Sequence, residues 1–493
     1  MSPRIARLVA RALSLFVALV GVTGSVATPA TADASTDAPS TLAWRSCHGG
    51  DVECARLSVP LDDTNPADPR VIHVALERVA ARDPERRIGS LIVNPGGPGA
   101  PGATFAPGIA GSLPAEVQDR FDIVGFDPRG TGKSAGVDCG DNYDSLYALD
   151  FDPDTPQERQ ALDDANRALV ESCVRRDGER LRFLTTDRAA RDMDRIRVAL
   201  GDDRLTYLGY SYGTLLGAQY AAQFPDRVRA LVLDGAVDPA LDGRTSQLAQ
   251  AEGFERSIDL FLESCARRPS CAFHGGDDPG AAYDALRARV DQHPLPAGRG
   301  RRLNGTLFDI GIAQLLYGGE SSWPEVADVL AAAEDRDGSA LLGDADAYTG
   351  RRDDGTYDDL QESFLAIGCA DGPPVDGIEG MRAIEQEAAK VAPRLGRSVV
   401  NNSLACAFWP VAAPPALPLH APGAPPILVI GTRNDPATPL SGARALAREL
   451  GSGVLVIASG AQHTAFASGN ACVDRAVERY LVDARPPSDG TRC

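Results

Sequence analysis

A serine, a histidine and a carboxylate stand in this chain where they could carry out nucleophilic hydrolysis. Ser211 is the centre of Leu205-Thr-Tyr-Leu-Gly-Tyr-Ser-Tyr-Gly-Thr-Leu-Leu-Gly217. A β-favouring run there meets Gly-Tyr-Ser-Tyr-Gly, and helix-favouring residues follow until Phe224-Pro225. That predicts strand, sharp turn, helix, a geometry that pushes a serine hydroxyl into the open and needs glycine at 209 and 213. The competing reading is a plain Gly-rich loop, so the partners must decide. A serine hydroxyl is a weak nucleophile; it needs an imidazole to take its proton and a carboxylate to fix that imidazole's tautomer. Of the six histidines, His463 alone directly follows a core-type strand, in Ser459-Gly-Ala-Gln-His-Thr464. Asp435 follows the strand before it, in Thr432-Arg-Asn-Asp-Pro-Ala-Thr-Pro439. Asp234, at the end of the strand after the elbow, is the competitor, and Asp435 is favoured because its strand immediately precedes the one leading to His463. An oxyanion needs two backbone donors aimed at one point. The N–H of Tyr212 is one candidate, and Gly97, in the loop after strand 90–94, is the other.

These residues require elements that bring loop ends together. Residues 54–60 and 71–78 alternate and flank a turn-rich stretch, which predicts an antiparallel hairpin. Runs 90–94, 121–126, 205–210 and 228–234 are nearly all apolar, as strands buried on both faces are. Helical segments at 156–176 and 186–200 lie between them, the second with Thr186 as its expected cap. Strands alternating with helices imply a mostly parallel sheet with helices on both faces. The alternation stops near residue 239 and resumes with strand 427–431, helix 440–450, strand 454–458 and helix 470–482. The expected organisation is a secretory signal at 1–34, a flexible segment at 35–45, a core in two parts (46–239 and 416–493) and a mainly helical cap insert at 240–415.

Composition narrows the setting. With 493 residues and 43% apolar content the chain can bury a large core. Arg4, Arg7 and Arg11 precede an apolar run and small residues ending in Ala-Thr-Ala-Asp-Ala, the pattern of a cleavable export signal. No later stretch reaches the roughly 18 apolar residues that would span a bilayer. The net charge of −19 opposes nucleic acid and anionic lipid as partners and suits a cationic small substrate. All ten cysteines follow the signal, an even number consistent with disulfides in an exported protein. Connectivity is open from sequence; pairing consecutive cysteines, which closes five local loops, is the expectation. No C-x-x-C or H-E-x-x-H occurs, so a structural zinc is not expected. Asp127-Pro-Arg-Gly-Thr-Gly-Lys-Ser134 imitates a phosphate loop but places Asp127 where that loop needs glycine, and it reads as a structural turn.

Taken together, Asn94-Pro-Gly-Gly-Pro-Gly99, Asp127-Pro-Arg-Gly-Thr-Gly-Lys-Ser134, Gly209-Tyr-Ser-Tyr-Gly-Thr214, Asp435-Pro-Ala-Thr-Pro439 and Gln462-His-Thr464 resemble the α/β-hydrolase serine exopeptidases that include proline iminopeptidases and secreted bacterial tripeptidyl aminopeptidases. Asn94, where the cytosolic iminopeptidases usually carry histidine, the export signal, the cysteines and the large insert look more like the tripeptidyl branch. The resemblance implies an acyl-enzyme, peptide substrates with a free N-terminus, release of short peptides and no cofactor. Such an enzyme needs an anchor for the substrate ammonium, and Glu320 and Asp371 in the insert are the candidates. The alternatives are a proline iminopeptidase-like exopeptidase, a secreted carboxylester hydrolase with the same three residues, and a catalytically silent hydrolase-fold binding protein of the cell envelope.

Overall fold

The computed structural model describes residues 42–140, 143–274, 278–372, 376–411 and 419–493. The expected export signal at 1–34 lies outside the described residues, as does most of the segment 35–45.

The sheet is built from β1 (Arg45–Cys47), β2 (Val52–Pro60), β3 (Val71–Val79), β4 (Gly89–Asn94), β5 (Phe121–Phe126), β6 (Leu205–Tyr210) and β7 (Val228–Asp234). A separate hairpin of β8 (Leu295–Pro296) and β9 (Arg302–Leu303) intervenes before β10 (Ile427–Thr432), β11 (Gly453–Ala458) and β12 (Thr491–Arg492) complete it. The order is β1-β2-β3-β5-β4-β6-β7-β10-β11-β12. The β2–β3 hairpin is antiparallel, and in β2 buried Ala55, Leu57 and Val59 alternate with exposed Arg56 and Ser58, so one face meets the core and one meets water. From β4 to β12 neighbouring strands run parallel, with β4, β5, β6 and β10 buried throughout. The short edge strands β1 and β12 carry no strand pattern in the sequence. Disulfides Cys47–Cys54 and Cys472–Cys493 lie beside them.

Helices Gly102–Ala110, Ala115–Arg120 and Ala471–Asp483 close one face of the sheet through Ala106, Val117, Val473 and Val477. Helices Thr186–Leu200, Tyr212–Gln223 and Leu440–Glu449 close the other through Met193, Ile196, Leu216 and Leu446. The expected cap role of Thr186 does not hold. Thr185 is the N-cap of its helix, its hydroxyl donating to Asp187 and not capping a backbone N–H, and the Thr186 hydroxyl is engaged elsewhere. Between β7 and β10 the described residues contain eight α-helices, from Gly243–Ala266 to Gly396–Asn401. Their apolar residues, such as Phe261, Phe308 and Leu395, continue the second face's core, so this layer is fixed to the sheet by burial of common apolar surface.

The remaining disulfides, Cys139–Cys173, Cys265–Cys271 and Cys369–Cys406, complete a pattern of consecutive pairs. The loop after β5 is a structural turn. Asp127 accepts the N–H groups of Ala103 and Lys133 at 2.9 Å each, and Arg129, 1% exposed, forms a two-pronged ion pair with Asp192 at 2.7 and 2.8 Å. No described helix is long and apolar enough to cross a membrane.

Candidate active site

The order of strands decides where a site can form. β5 and β6 flank β4 on opposite sides, so chain connections diverge there and leave a crevice at the strands' carboxyl ends. Asn94 and Gly209 are in register, which puts the loop after β4 level with the elbow after β6.

At the elbow Ser211 adopts φ 53° and ψ −123°, a conformation that disfavours a side chain and that surrounding contacts enforce. Its N–H donates to Asp234 O at 2.9 Å, and its carbonyl accepts the N–H and hydroxyl of Thr214 at 2.8 and 2.6 Å. A Cβ on Gly209 would lie 2.3 Å from Gly213 O, which is why the turn needs glycine there. The loop Pro95–Gly99 presses on the same turn. Asn94 Oδ1 accepts Gly96 N–H at 3.0 Å, and a Cβ on Gly96 would lie 2.5 Å from Tyr210 O and 3.3 Å from Tyr212 N. Gly97 and Tyr212 thereby face the same cavity as Ser211.

His463 is held from three sides. Its Nδ1 lies 2.9 and 3.1 Å from the two carboxylate oxygens of Asp435. Its N–H donates to Tyr317 O at 3.0 Å, and the Tyr317 ring meets the imidazole edge-on at 5.1 Å. Nε2 is buried without a hydrogen-bond partner among the described residues. Asp435 is itself fixed by the N–H groups of Ala437 and Thr438, at 2.9 Å each, and by the Thr438 hydroxyl at 3.0 Å. Burial alone would push the imidazole down; the Asp435 charge and hydrogen bond outweigh it and leave His463 above its ordinary value. An imidazole with Nδ1 on a buried carboxylate and Nε2 free is a proton acceptor. Asp234, the other candidate carboxylate, accepts the N–H groups of Ala465 and Phe466 and makes no hydrogen bond to the ring.

The elbow opens into a cavity of about 1090 Å³ between sheet and insert, with Phe254, Tyr317 and Phe364 among its walls. Asp371 lines it. Its oxygens accept Thr186 N–H at 3.1 and 2.8 Å, and the Thr186 hydroxyl connects it to the Tyr212 hydroxyl. Burial pushes this carboxyl up to about 7, against the opposing effect of Thr186. Glu320 is not brought to the cavity. It is exposed, and its carboxylate accepts Ala461 N–H at 2.9 Å, which props the loop leading to His463. The sequence reading missed Thr438, Tyr317 and Thr186. Thr438 had a signal, since Asp-Pro-Ala-Thr is a local turn pattern in which a carboxylate binds the third residue on; the other two had none.

Comparison with known proteins gives the family. Residues 89–277 match the family described as "alpha/beta hydrolase fold" and residues 392–493 the family described as "TAP-like protein". The chain is 37% identical over 465 residues to serine protease Hip1 of Mycobacterium tuberculosis, covering 90% of this chain and 88% of that one. The chain belongs to the TAP-like family of α/β-hydrolases. It is 36% identical to carboxylesterase B of M. tuberculosis (89% and 86% covered) and 30% identical to tripeptidyl aminopeptidase of Streptomyces lividans (90% and 83% covered). This family member is a serine hydrolase.

Proposed function

We propose that the protein is an exported serine aminopeptidase that releases short peptides, tripeptides foremost, from the free N-termini of peptides or proteins. In this reading Ser211 Oγ attacks the scissile carbonyl while His463 Nε2 takes its proton, and Asp435 holds the tautomer and stabilises the imidazolium. The N–H groups of Gly97 and Tyr212 receive the developing oxyanion. His463 then protonates the departing amine, and water, deprotonated by the same imidazole, hydrolyses the acyl-enzyme.

One observation carries the exopeptidase reading over a general hydrolase: the cavity holding Ser211 also holds Asp371, a half-buried carboxylate that no Lys or Arg of the described residues pairs. Its donors, the N–H and hydroxyl of Thr186, carry no charge, so a substrate ammonium would supply the missing counter-charge. The wall is otherwise largely apolar, suited to side chains of an acyl peptide. Relatives named serine protease and tripeptidyl aminopeptidase support this reading. Export rests on the signal-type start and on five disulfides.

The deciding experiment is mass analysis of products from one long unblocked peptide, beside its N-acetylated form. A ladder in steps of three residues, lost on acetylation and in Ser211→Ala, is expected; equal cleavage of both forms refutes the amine anchor. A second reading, a carboxylester hydrolase, has the relative named carboxylesterase B in its favour; it predicts ester turnover with no peptide ladder.

A further inference from the structure

The carboxylate that the reaction leaves unused is the one that joins the two halves of the site. Asp234 ends β7 and is fully buried. Its main-chain carbonyl accepts Ser211 N–H at 2.9 Å. Its Oδ2 accepts the N–H groups of Ala465 and Phe466, at 2.9 and 2.8 Å, in the segment that begins two residues after His463. Asp234 therefore spans the nucleophile's turn and the histidine's loop, one through its backbone and the other through its side chain. The following residue closes the gap: a Cβ on Gly235 would lie 3.1 Å from His463 O and 3.2 Å from its Cε1. Oδ1 of Asp234 is buried with no hydrogen-bond partner, and no Lys or Arg of the described residues pairs with it.

A purely structural acceptor for two N–H groups needs no charge; an asparagine oxygen would serve. What a carboxylate adds is a negative charge in a dry site beside the imidazole. Resting on the reading of Ser211 and His463 as nucleophile and base, we propose that Asp234 is a positioning residue whose carboxylate sets the spacing of Ser211 and His463 and whose charge strengthens His463 as a proton acceptor. Other titratable groups facing this region are Asp435 on the ring, Tyr317 against its edge, Tyr210, whose hydroxyl donates to Phe466 O at 3.3 Å, and Asp474, which accepts Ala467 N–H at 2.9 Å. Of the other carboxylates, Asp435 is hydrogen-bonded to the ring and Asp474 binds the backbone beyond Phe466. Asp234 lacks such a partner for Oδ1; burial pushes it up to about 7, partly offset by the Phe466 and Ala465 N–H groups. The His463 imidazolium and the Asp234 carboxylate favour each other, so their protonation is coupled.

The test is the pH profile of kcat/KM, with fluorophosphonate labelling of Ser211 as a second readout. The wild-type acid limb should be broader than one ionisation, because the first proton is shared between two groups. Asp234→Asn keeps the acceptor oxygen and removes the charge. Its acid limb should become a single ionisation displaced to lower pH by about 1 unit, the low end of the effect of one nearby charge. A limb in Asp234→Asn that superimposes on wild type overturns the proposal. So does a wild-type limb that fits one ionisation, a measurement that needs no variant to fold. Failure of the underlying reading looks different: Ser211→Ala or His463→Ala would then retain activity.

Discussion

Replacing Asp435 with asparagine separates what that carboxylate does for His463 from what any acceptor would do. Asp435 is 1% exposed, and the N–H groups of Ala437 and Thr438 both donate to its Oδ1. In the variant those two donors claim the amide oxygen, so the NH₂ takes the place of Oδ2. The Thr438 hydroxyl, which now donates to Oδ2 at 3.0 Å, can turn to accept instead. His463 Nδ1, 3.1 Å from that position, then accepts from the amide, and the ring proton moves to Nε2. In the proposed reaction Nε2 is the atom that takes the serine's proton. The wrong tautomer lowers the chemical step by ~10⁴-fold, about 5.4 kcal/mol at 1.36 kcal/mol per factor of ten. Since the local hydrogen bonds survive, thermal stability should change little. The assay is kcat/KM on an unblocked peptide from pH 5 to 9, with fluorophosphonate labelling rates and a melting curve on the same protein. An Asp435→Asn variant within tenfold of wild type at every pH would refute the assignment. Asp234→Asn is the contrast: on the plateau above the acid limb it should stay within about tenfold of wild type.

Asp371→Asn should lower kcat/KM for free peptides by ~10–100-fold and leave N-acetylated or ester substrates nearly unchanged, as loss of one charge-assisted contact does; equal losses on both substrate types would discard the anchor. Gly96→Ala places a Cβ 2.5 Å from Tyr210 O and 2.9 Å from Ser211 Cβ at φ +99°, so the oxyanion loop must move. It should cost about 10²-fold or more in kcat, the value of one misplaced donor, read by steady-state kinetics on the folded variant. Removing the Cys369–Cys406 disulfide, whose partners are 37 residues apart, should destabilise the protein by ~3–4 kcal/mol through the freed unfolded chain, seen as a lower denaturation midpoint. Asp234, Glu362 and Asp371 are each pushed up to about 7, chiefly by burial. Their folded-state protons are retained while the unfolded chain loses its own near pH 4, so stability from these groups is whole below that and declines as pH rises to 7. The melting temperature should be higher at pH 5 than at pH 7.5, and Glu362→Gln, whose oxygen still accepts Cys139 N–H, should raise it at pH 7.5 only; a flat profile would show that these groups are not protonated in the fold.

What the sequence determines by itself is whatever neighbouring residues dictate. The elbow is such a feature, because a Ser between two glycines at a strand-to-helix junction admits few backbone shapes, and the run lengths of β4 to β7 and of β10 and β11 follow from apolar residues that must be buried on both faces. Placing His463 and the carboxylates at strand ends follows from the same pattern. Which carboxylate meets the imidazole does not. That depends on β10 lying between β7 and β11, and on the loop geometry that turns Asp435 towards Nδ1 while Asp234 serves the backbone of Ala465 and Phe466. Glu320 and Asp371 look alike as acids in a helical insert, yet one is taken by Ala461 N–H at the surface and the other lines the cavity. The physical reason is the range of the interactions: local sequence sets backbone shape within a turn or a strand, whereas a site side chain's partner is set by which separate segments the fold brings together, 28 residues apart for Asp435 and His463 and 185 for Thr186 and Asp371.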